Sequence, residues 1–223
     1  GVLIAPTSER TDLSLLHEHD VPYVLIDRKL RGRRADLVAV DNRSGAAMAT
    51  THLLEAGYER VACIAGPAKL STGIDRQRGY EAALRAAGKS VDPAYVRRAN
   101  FRVDGGREAA ARLLELPEPP DALFVANNLM AAGAMQALVQ LGVDIPGQIG
   151  IACFDDSPWA PLTAPPLTTV VQPTYDLGRE ATRLLLRRLE GWSGDPEVVT
   201  LPTSLRVRES SLGPRGRARQ TRK

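Results

Sequence analysis

Short apolar runs alternate with amphipathic helical patterns along almost the whole chain. The runs are continuous instead of alternating with polar residues, which is typical of strands covered on both faces of a parallel sheet. The predicted strands cover residues 2–5, 23–26, 38–40, 61–65, 123–126 and 149–154.

Between these runs, apolar residues recur at intervals of three and four, which places them on one face of a helix. One such pattern covers residues 80–87 and stops at Gly88, and two others stop at Gly142 and Gly191. A glycine after the last turn is a common helix end. The helices supply the crossovers that parallel strands need, so the pattern predicts a doubly wound α/β fold.

The alternation breaks near the carboxyl end of the sequence. A segment rich in threonine and proline, 163–169, is followed by a helix and then by two short β-like runs at 198–201 and 205–207. Simple βα repetition does not explain this pair of runs. The sequence also enters a strand directly after Gly1, and we expect it to be a fragment of a longer protein.

Composition is that of an ordinary globular protein, with 43% hydrophobic and 25% charged residues. No apolar run approaches the roughly 18–20 residues that span a bilayer. No secretory signal pattern opens the sequence, so we predict a cytoplasmic protein without a membrane partner. Cys63 and Cys153 lie inside apolar runs and are predicted to be buried thiols.

The formal net charge of +3 is concentrated at the carboxyl terminus, because the last eleven residues carry five positive charges and no acid. The rest of the chain is slightly acidic and lacks the basic stripe that nucleic-acid binding requires. Residues 212–223 are predicted to form a disordered basic tail, with nonspecific DNA contact as the alternative.

Enzyme motifs are absent: the sequence has no dinucleotide or Walker loop, no nucleophile elbow and no zinc-protease motif. His17 and His19 are two residues apart, so on a helix they would point to different faces, and His52 lies in another helical stretch. The glycine pair 105–106 is interpreted as the entry turn of a helix over 107–116. No catalytic residue, metal site or cofactor is predicted.

Polar residues at two strand ends are the first candidate ligand contacts. Asp155 and Asp156 follow the strand 149–154, and Asn127 and Asn128 follow the strand 123–126. Open α/β sheets bind ligands beyond the carboxyl ends of their strands. Asn and Asp together offer the donors and acceptors that a hydroxylated ligand needs. The structural alternatives are a loop cap for the aspartates and a helix N-cap for Asn127.

Three further side chains are candidates on weaker grounds. Arg76 is predicted in the first turn of a helix, where the helix dipole disfavours a cation, so a ligand could account for it. A solvated surface arginine is the alternative. Phe101 lies in a polar turn of a chain with only 4% aromatic residues, which favours ligand stacking or ordinary packing about equally. Trp159 is a similar loop aromatic.

Five segments occur in this order along residues 1–211: VDNRSGAAMATTHLLEAGYERVACIAGP, R-x-x-GY at 76–80, ALFVANNLMAAGAMQAL, GQIGIACFDDSPWAPLTAPPLTTVVQP and LPTSLRVRES. Read together, they resemble the sensor domain of LacI/GalR-type transcriptional regulators. It implies a type I periplasmic-binding-protein-like fold of two Rossmann-like subdomains joined by three crossings. The first subdomain, residues 1–57 and 172–201, would be incomplete; the second would comprise 58–171 and 202–211.

The resemblance also implies a function: a homodimeric repressor that binds a small effector in the cleft between its subdomains. The effector would be a sugar or a related polyol or nucleoside. Operator DNA would be bound by an N-terminal headpiece that this sequence does not contain. The implied effector contacts are Arg76, Asn127, Asp155, Phe101, Thr72, Ser44 and Gln172, with Trp159 as a further loop aromatic. Asn128 replaces an aspartate common in the family, which we interpret as an N-cap exchange.

Two other functions deserve comparison. A periplasmic sugar-binding protein of a transporter shares the cleft architecture, but the FDD and VANN motifs favour the regulator. An α/β hydrolase would have to use Asp155 and Asp156, and the sequence offers neither a nucleophile–base pair nor metal ligands for it. We therefore predict a binding protein that is not an enzyme.

Overall fold

The computed structural model describes residues 1–8, 10–30, 32 and 34–213. The predicted α/β class is confirmed, since parallel strands alternate with helices through most of the chain. The basic tail predicted over 212–223 lies outside the described residues from position 214 onward.

The elements are numbered in chain order. The strands are β1 (Val2–Ile4), β2 (Tyr23–Ile26), β3 (Leu37–Val40), β4 (Val61–Ala65), β5 (Val96–Arg98), β6 (Ala122–Val125), β7 (Gly150–Phe154), β8 (Thr168–Val171), β9 (Val198–Leu201) and β10 (Ser204–Arg206). The helices are α1 (Ser14–Glu18), α2 (Asn42–Glu55), α3 (Ser71–Ala86), α4 (Val103–Leu114), α5 (Asn128–Gln140) and α6 (Thr174–Leu189).

The chain divides into two units. Unit 1 comprises Gly1–Asp41, Lys69–Thr72 and Gln172–Thr203, and unit 2 comprises Asn42–Ala68, Gly73–Val171 and the residues from Ser204. The chain therefore passes between the units after Asp41, Val171 and Thr203, and the short segment Lys69–Thr72 also belongs to unit 1. Helix α2 belongs to unit 2 and packs on the strands of that unit. The subdomain bounds that the resemblance implies stay a prediction.

Unit 1 is built on a four-stranded sheet with the order β1-β2-β3-β9, in which every neighbouring pair is parallel. Helix α6 packs on this sheet and buries Leu177, Ala181 and Leu184, which recur at the spacing of one helical face. The β-like run at 198–201, unexplained by simple alternation, is β9, which returns to pair with β3.

Unit 2 is built on a six-stranded sheet with the order β10-β8-β7-β6-β4-β5. Only β10 is antiparallel, with Leu205 opposite Val170. Every residue of β4, β6 and β7 is buried, which explains the continuous apolar runs in their sequences. The edge strand β5 was not predicted, because its sequence Val-Arg-Arg has only one apolar residue and it pairs on one side alone.

The glycine pair 105–106 lies inside α4 and does not form the predicted entry turn. A Cβ on Gly106 would lie 2.2 Å from the Met130 carbonyl oxygen, and one on Gly133 would lie 1.9 Å from the Val103 carbonyl oxygen. The two glycines thus let α4 and α5 approach backbone to backbone, which no larger residue would allow. This packing belongs to the core of unit 2.

The two cysteines and the absence of a long apolar run were both subjects of prediction. Cys63 and Cys153 are buried and form no disulfide, as predicted, and burial raises the pKa of both thiols. Within the described part of the chain, no helix combines the length and apolarity needed to cross a membrane.

Candidate functional site

Arg76 lies in α3 and is almost fully buried, with 3% of the residue exposed. Its Nε donates a hydrogen bond to Asn42 Oδ1 at 2.7 Å, and its Nη1 donates to the Ala126 carbonyl oxygen at 2.7 Å. The guanidinium carbon lies 3.7 Å from the centre of the Phe154 ring, a cation–π contact. These contacts exclude the alternative of a solvated surface arginine.

The third nitrogen of this guanidinium is used differently. Among the described residues, Nη2 of Arg76 has no hydrogen-bond acceptor. Guanidinium nitrogens are strong donors, and leaving one without an acceptor at a nearly buried site is costly unless water or a ligand supplies it. Arg76 is therefore fixed on one side and available for binding on the other.

Asp155 follows β7 and adopts a left-handed backbone conformation with φ 75°. Its backbone N–H donates to the Val170 carbonyl oxygen at 3.0 Å, so the loop is held against β8. Asp155 Oδ2 lies 3.4 Å from Arg76 Nη1, and 24% of the Asp155 side chain is exposed. The pair combines a buried cation with a partly exposed carboxylate at the carboxyl end of the sheet.

Asn127 forms the N-cap of α5, the structural alternative considered for it. Its Oδ1 accepts from the Met130 backbone N–H at 3.0 Å, and its Nδ2 donates to the Phe101 carbonyl oxygen at 3.3 Å. A primary amide keeps a second N–H and a second lone pair beyond these two bonds. Effector contact by Asn127 stays a prediction, and its capping role is now an observation.

The interpretation of Asn128 as an N-cap exchange is wrong. Asn127 occupies the capping position, and Asn128 is the first helical residue. Its Nδ2 donates to Ser157 Oγ at 2.6 Å, so the side chain ties the start of α5 to the loop after β7.

Phe101 also adopts a left-handed conformation, with φ 61°. This region costs a residue with a Cβ about 1–3 kcal/mol, and it persists only where the surroundings enforce it. The ring fills the space beside Gly66, where a Cβ would lie 2.1 Å from Phe101 Cζ. Phe101 and Trp159 both pack against the apolar core of unit 2, so ordinary packing accounts for part of each ring. Ligand stacking stays a prediction.

Asp156 has a structural role. It accepts a hydrogen bond from Thr169 Oγ1 at 2.9 Å and forms ion pairs with Arg208 at 3.0 Å and Arg206 at 2.5 Å. These contacts attach the loop after β7 to β8, β10 and the segment beyond it. Both carboxylate oxygens of Asp156 are therefore already bonded to protein donors.

The remaining predicted contacts are distributed over both units. Ser44 is an exposed residue in the first turn of α2 in unit 2. Thr72 and Gln172 belong to unit 1. Thr72 is buried, and its Oγ1 has no hydrogen-bond partner among the described residues. The structure thus brings together one set within unit 2, here named the Arg76 cluster: Asn42, Arg76, Phe101, Asn127 and Asp155.

Sequence reasoning missed one member of the Arg76 cluster, Asn42. It is the second residue after β3, and so carries the same signal that selected Asn127 and Asp155: a polar side chain just past a strand end. The sequence could not show that it bonds to Arg76, which is 34 positions further along.

No histidine contributes to a metal site in the described residues, which contain no suitable group of three or more His, Cys, Asp or Glu side chains. His52 Nε2 instead lies 2.7 Å from Ser211 Oγ, and this hydrogen bond joins α2 to the short 3-10 helix Glu209–Ser211. Burial lowers the pKa of this imidazole below its ordinary value.

Comparison with known proteins identifies the family of this chain. Residues 50–211 match the family model described as a periplasmic binding protein-like domain. The HTH-type transcriptional regulator CelR of Thermobifida fusca is 39% identical over 213 residues, covering 94% of this chain and 63% of CelR. The HTH-type transcriptional repressor CytR of Escherichia coli K12 is 35% identical over 192 residues, covering 86% of this chain and 56% of CytR.

Solved structures give the same result. A complex of the transcriptional regulator CelR with cellobiose has a TM-score of 0.88 and 38% identity, and the match covers 94% of this chain and 65% of that one. A LacI family regulator from Mycobacterium smegmatis has a TM-score of 0.84 and 31% identity, covering 94% and 78%.

The chain therefore belongs to the periplasmic-binding-protein-like domain family, in the form found in LacI-type transcriptional regulators, and the predicted family is confirmed. It spans somewhat under two thirds of the length of the curated relatives CelR and CytR.

Proposed function

We propose that this chain is the effector-sensing region of a LacI-type transcriptional regulator, and that the Arg76 cluster binds a small sugar at the carboxyl end of the unit 2 sheet. One observation carries the proposal: Arg76 is buried and fixed by Asn42, Ala126 and Phe154, while its Nη2 is left without an acceptor among the described residues. Such a group is preorganised for a ligand oxygen.

The charges of the cluster favour a neutral ligand. Arg76 and Asp155 contribute one positive and one negative charge within 3.4 Å of each other, so an ionic ligand would add an unbalanced charge at a partly buried site. A sugar hydroxyl both donates and accepts, and so suits an arginine donor beside a carboxylate acceptor. The cellobiose complex of CelR and the name of the ribose operon repressor of Halalkalibacterium halodurans, 36% identical over 194 residues, support a sugar.

The regulatory part of the proposal rests on the relatives. CelR and CytR are named HTH-type regulators, so we assign operator DNA recognition to a helix-turn-helix headpiece of the whole protein. Binding to two half-sites requires a homodimer, and the site of action is the cytoplasm. The effector changes the protein only by its differential affinity for the two arrangements of the regulator. A transporter-associated sugar-binding protein is disfavoured, since the named relatives are regulators.

The test is sugar binding by the 223-residue chain and by Asp155→Ala. A thermal-shift screen with cellobiose, ribose, glucose and adenosine identifies a ligand, because a molecule that binds the folded state raises the unfolding temperature. Calorimetry then gives the Kd. We expect one sugar to bind the parent chain, and Asp155→Ala to weaken binding about tenfold or more, since it removes an acceptor beside Arg76.

The matched control is Asp195→Ala, because Asp195 is exposed and makes no hydrogen bond or ion pair in the described structure. It should bind the sugar like the parent chain. Unchanged affinity in Asp155→Ala, with a normal unfolding temperature, would remove Asp155 from the site. A chain that binds none of the sugars would overturn the proposed ligand class.

A further inference from the structure

Asn42 occupies an unusual place in the fold. It is the first residue of α2 and of unit 2, directly after Asp41, where the chain leaves unit 1. Only 7% of the residue is exposed, although asparagine usually lies at the surface. A buried amide at a connection between units needs a reason, and its contact with Arg76 suggests one.

The contact determines how the guanidinium of Arg76 is oriented. A guanidinium is planar, so fixing two of its nitrogens and one face fixes the direction of the third nitrogen. The Ala126 carbonyl holds Nη1 and the Phe154 ring holds one face. Nε is held by Asn42 Oδ1 at 2.7 Å, and this is the only side-chain oxygen in the described structure that bonds to Nε. Asn42 thereby decides where Nη2 points.

Asn42 also determines which edge of Arg76 faces Asp155. An arginine and a carboxylate usually form a two-bond, fork-to-fork pair, and Arg188 does so with Asp36 through Nε and Nη2, at 2.6 and 3.0 Å. In Arg76 the Nε–Nη2 edge faces the neutral amide of Asn42, which accepts from Nε alone. Asp155 lies 3.4 Å from Nη1, on the other side of the guanidinium.

We infer that Asn42 is a positioning residue for effector binding: its single bond to Nε holds the Nε–Nη2 edge of Arg76 away from Asp155 and so leaves Nη2 for the ligand. This inference rests on the proposed function of the Arg76 cluster. Without the amide oxygen, Arg76 is free to pair its Nε edge with Asp155. Both groups are then bonded to each other and no longer to a sugar, and affinity falls although neither ligand-contacting residue has changed.

The test compares three substitutions of Asn42 in the full chain. Asn42→Ala removes the acceptor. Asn42→Ser also takes the acceptor out of reach of Nε but keeps a small polar group at this position, and it serves if the alanine variant does not fold. Asn42→Asp places a carboxylate beside Nε, which should bond Nε and Nη2 together, as Asp36 does with Arg188, and so occupy the donor meant for the sugar. Arg43→Ala is the matched control, since Arg43 is the next residue, is exposed and makes no side-chain bond in the described structure.

Two measurements separate this inference from the proposed function. The first needs no sugar: the Arg76 Nε–H resonance in a 15N–1H spectrum, assigned by its loss in Arg76→Lys. It should move in Asn42→Ala and Asn42→Ser and stay near its parent position in Arg43→Ala. The second is calorimetry with the sugar found by the screen, where the Ala and Ser variants should bind about tenfold more weakly or worse.

The two remaining variants decide the outcome. Asn42→Asp should also bind the sugar about tenfold more weakly or worse, because its carboxylate occupies Nη2, and Arg43→Ala should lose no affinity. An Nε–H resonance that does not move in Asn42→Ala and Asn42→Ser would overturn the positioning role, whether or not a sugar binds. So would an Asn42→Asp variant that binds the sugar as tightly as the parent chain. Absence of sugar binding by the parent chain would reject the proposed function and leave the spectral result to be judged separately.

Discussion

Two ion pairs, one in each unit, join the same residue types in opposite ways. In unit 1, Asp36 is 3% exposed and Arg188 meets it with two hydrogen bonds. Arg188 Nη1 donates to the Trp192 and Gly194 carbonyl oxygens, so all three of its nitrogens are bonded. In unit 2, Nε and Nη1 of Arg76 donate to the neutral oxygens of Asn42 and Ala126, and Nη1 makes one long contact with Asp155. Its Nη2 has no acceptor among the described residues.

The comparison teaches that burial alone does not distinguish a structural arginine from a binding one. Both arginines contact an aromatic ring, Trp192 at 4.2 Å for Arg188 and Phe154 at 3.7 Å for Arg76. What differs is the use of the donors. A guanidinium whose nitrogens are all satisfied within the protein has nothing left for a ligand, whereas one held by neutral groups retains both charge and a donor.

The largest expected effect is on stability, from substituting asparagine for each aspartate. Asp36→Asn should destabilise unit 1 by about 3–5 kcal/mol, since it leaves a tightly paired arginine without its carboxylate. Asp155→Asn should cost unit 2 about 1 kcal/mol or less, because the amide still accepts and Asn42 and Ala126 still hold Arg76. Urea unfolding followed by tryptophan fluorescence measures both.

The two tryptophans make this measurement specific to each unit. Trp192 lies in unit 1 and Trp159 in unit 2, and the chain has no others. Trp159→Phe therefore leaves a reporter for Asp36→Asn, and Trp192→Phe leaves one for Asp155→Asn. Equal losses of stability in Asp36→Asn and Asp155→Asn would contradict the distinction between the Arg188–Asp36 pair and the Arg76–Asp155 pair.

The next effect is on acid stability. Burial by itself would raise the pKa of Asp36, but hydrogen bonds from Arg188 and the Glu197 backbone N–H, together with the nearby arginine charges, outweigh it and lower the pKa below its ordinary 3.8. The unfolded chain therefore binds this proton first as the pH falls. The contribution of the pair is present above pH 3.8 and is lost as the pH drops below it toward the folded-state pKa.

The measurement is the difference in unfolding free energy between the parent chain and Asp36→Asn, both in the Trp159→Phe background. It is followed from about pH 6 down to about pH 3. The difference should be constant above pH 3.8 and shrink below it. A difference that grows on acidification would have the wrong sign for a lowered pKa and would contradict the assignment.

The smallest effect concerns a pair at the surface. Arg112 and Glu108 lie 2.5 Å apart, closer than either buried pair, but 63% of each side chain is exposed. Glu108→Gln should cost only about 0.3–0.5 kcal/mol, as for other pairs one helical turn apart, because water screens the charges. The effect should vanish in 1 M salt, a condition under which the Debye length is about 3 Å. A loss approaching that of Asp36→Asn would show that distance matters more than burial.

Much of the fold could be predicted, because the periodicity of the sequence reports burial. The continuous apolar runs at 61–65 and 123–126 correspond to strands β4 and β6 at the centre of the six-stranded sheet. β5 was harder to predict, since Arg97 and Arg98 carry no strand pattern. The sequence also does not show that α2 belongs to unit 2, because the strand on which it mainly packs, β7, lies far along the chain.

The candidate site was predictable in part. Strand ends selected Asp155 and Asn127. Arg76 was selected as a cation in the first turn of a helix, and that reason was wrong, because α3 begins at Ser71 and Arg76 lies in its second turn. Asn42 escaped because its role depends on a hydrogen bond to a residue in another helix. Phe101 could be selected as a loop aromatic, but the sequence does not report that it sits in a left-handed conformation beside Gly66.

The sequence by itself determined which residues are apolar, where strands end and, therefore, which polar side chains lie at the carboxyl edge of the sheet. Only the tertiary structure decided which of these polar groups are already satisfied. Asp155 and Asp156 are neighbours of identical chemistry, yet Arg206 and Arg208 hold Asp156 while Asp155 faces a nearly buried Arg76. Hydrogen-bonding capacity is a property of a residue, but whether that capacity is used depends on partners that the fold brings from 50 or more positions away.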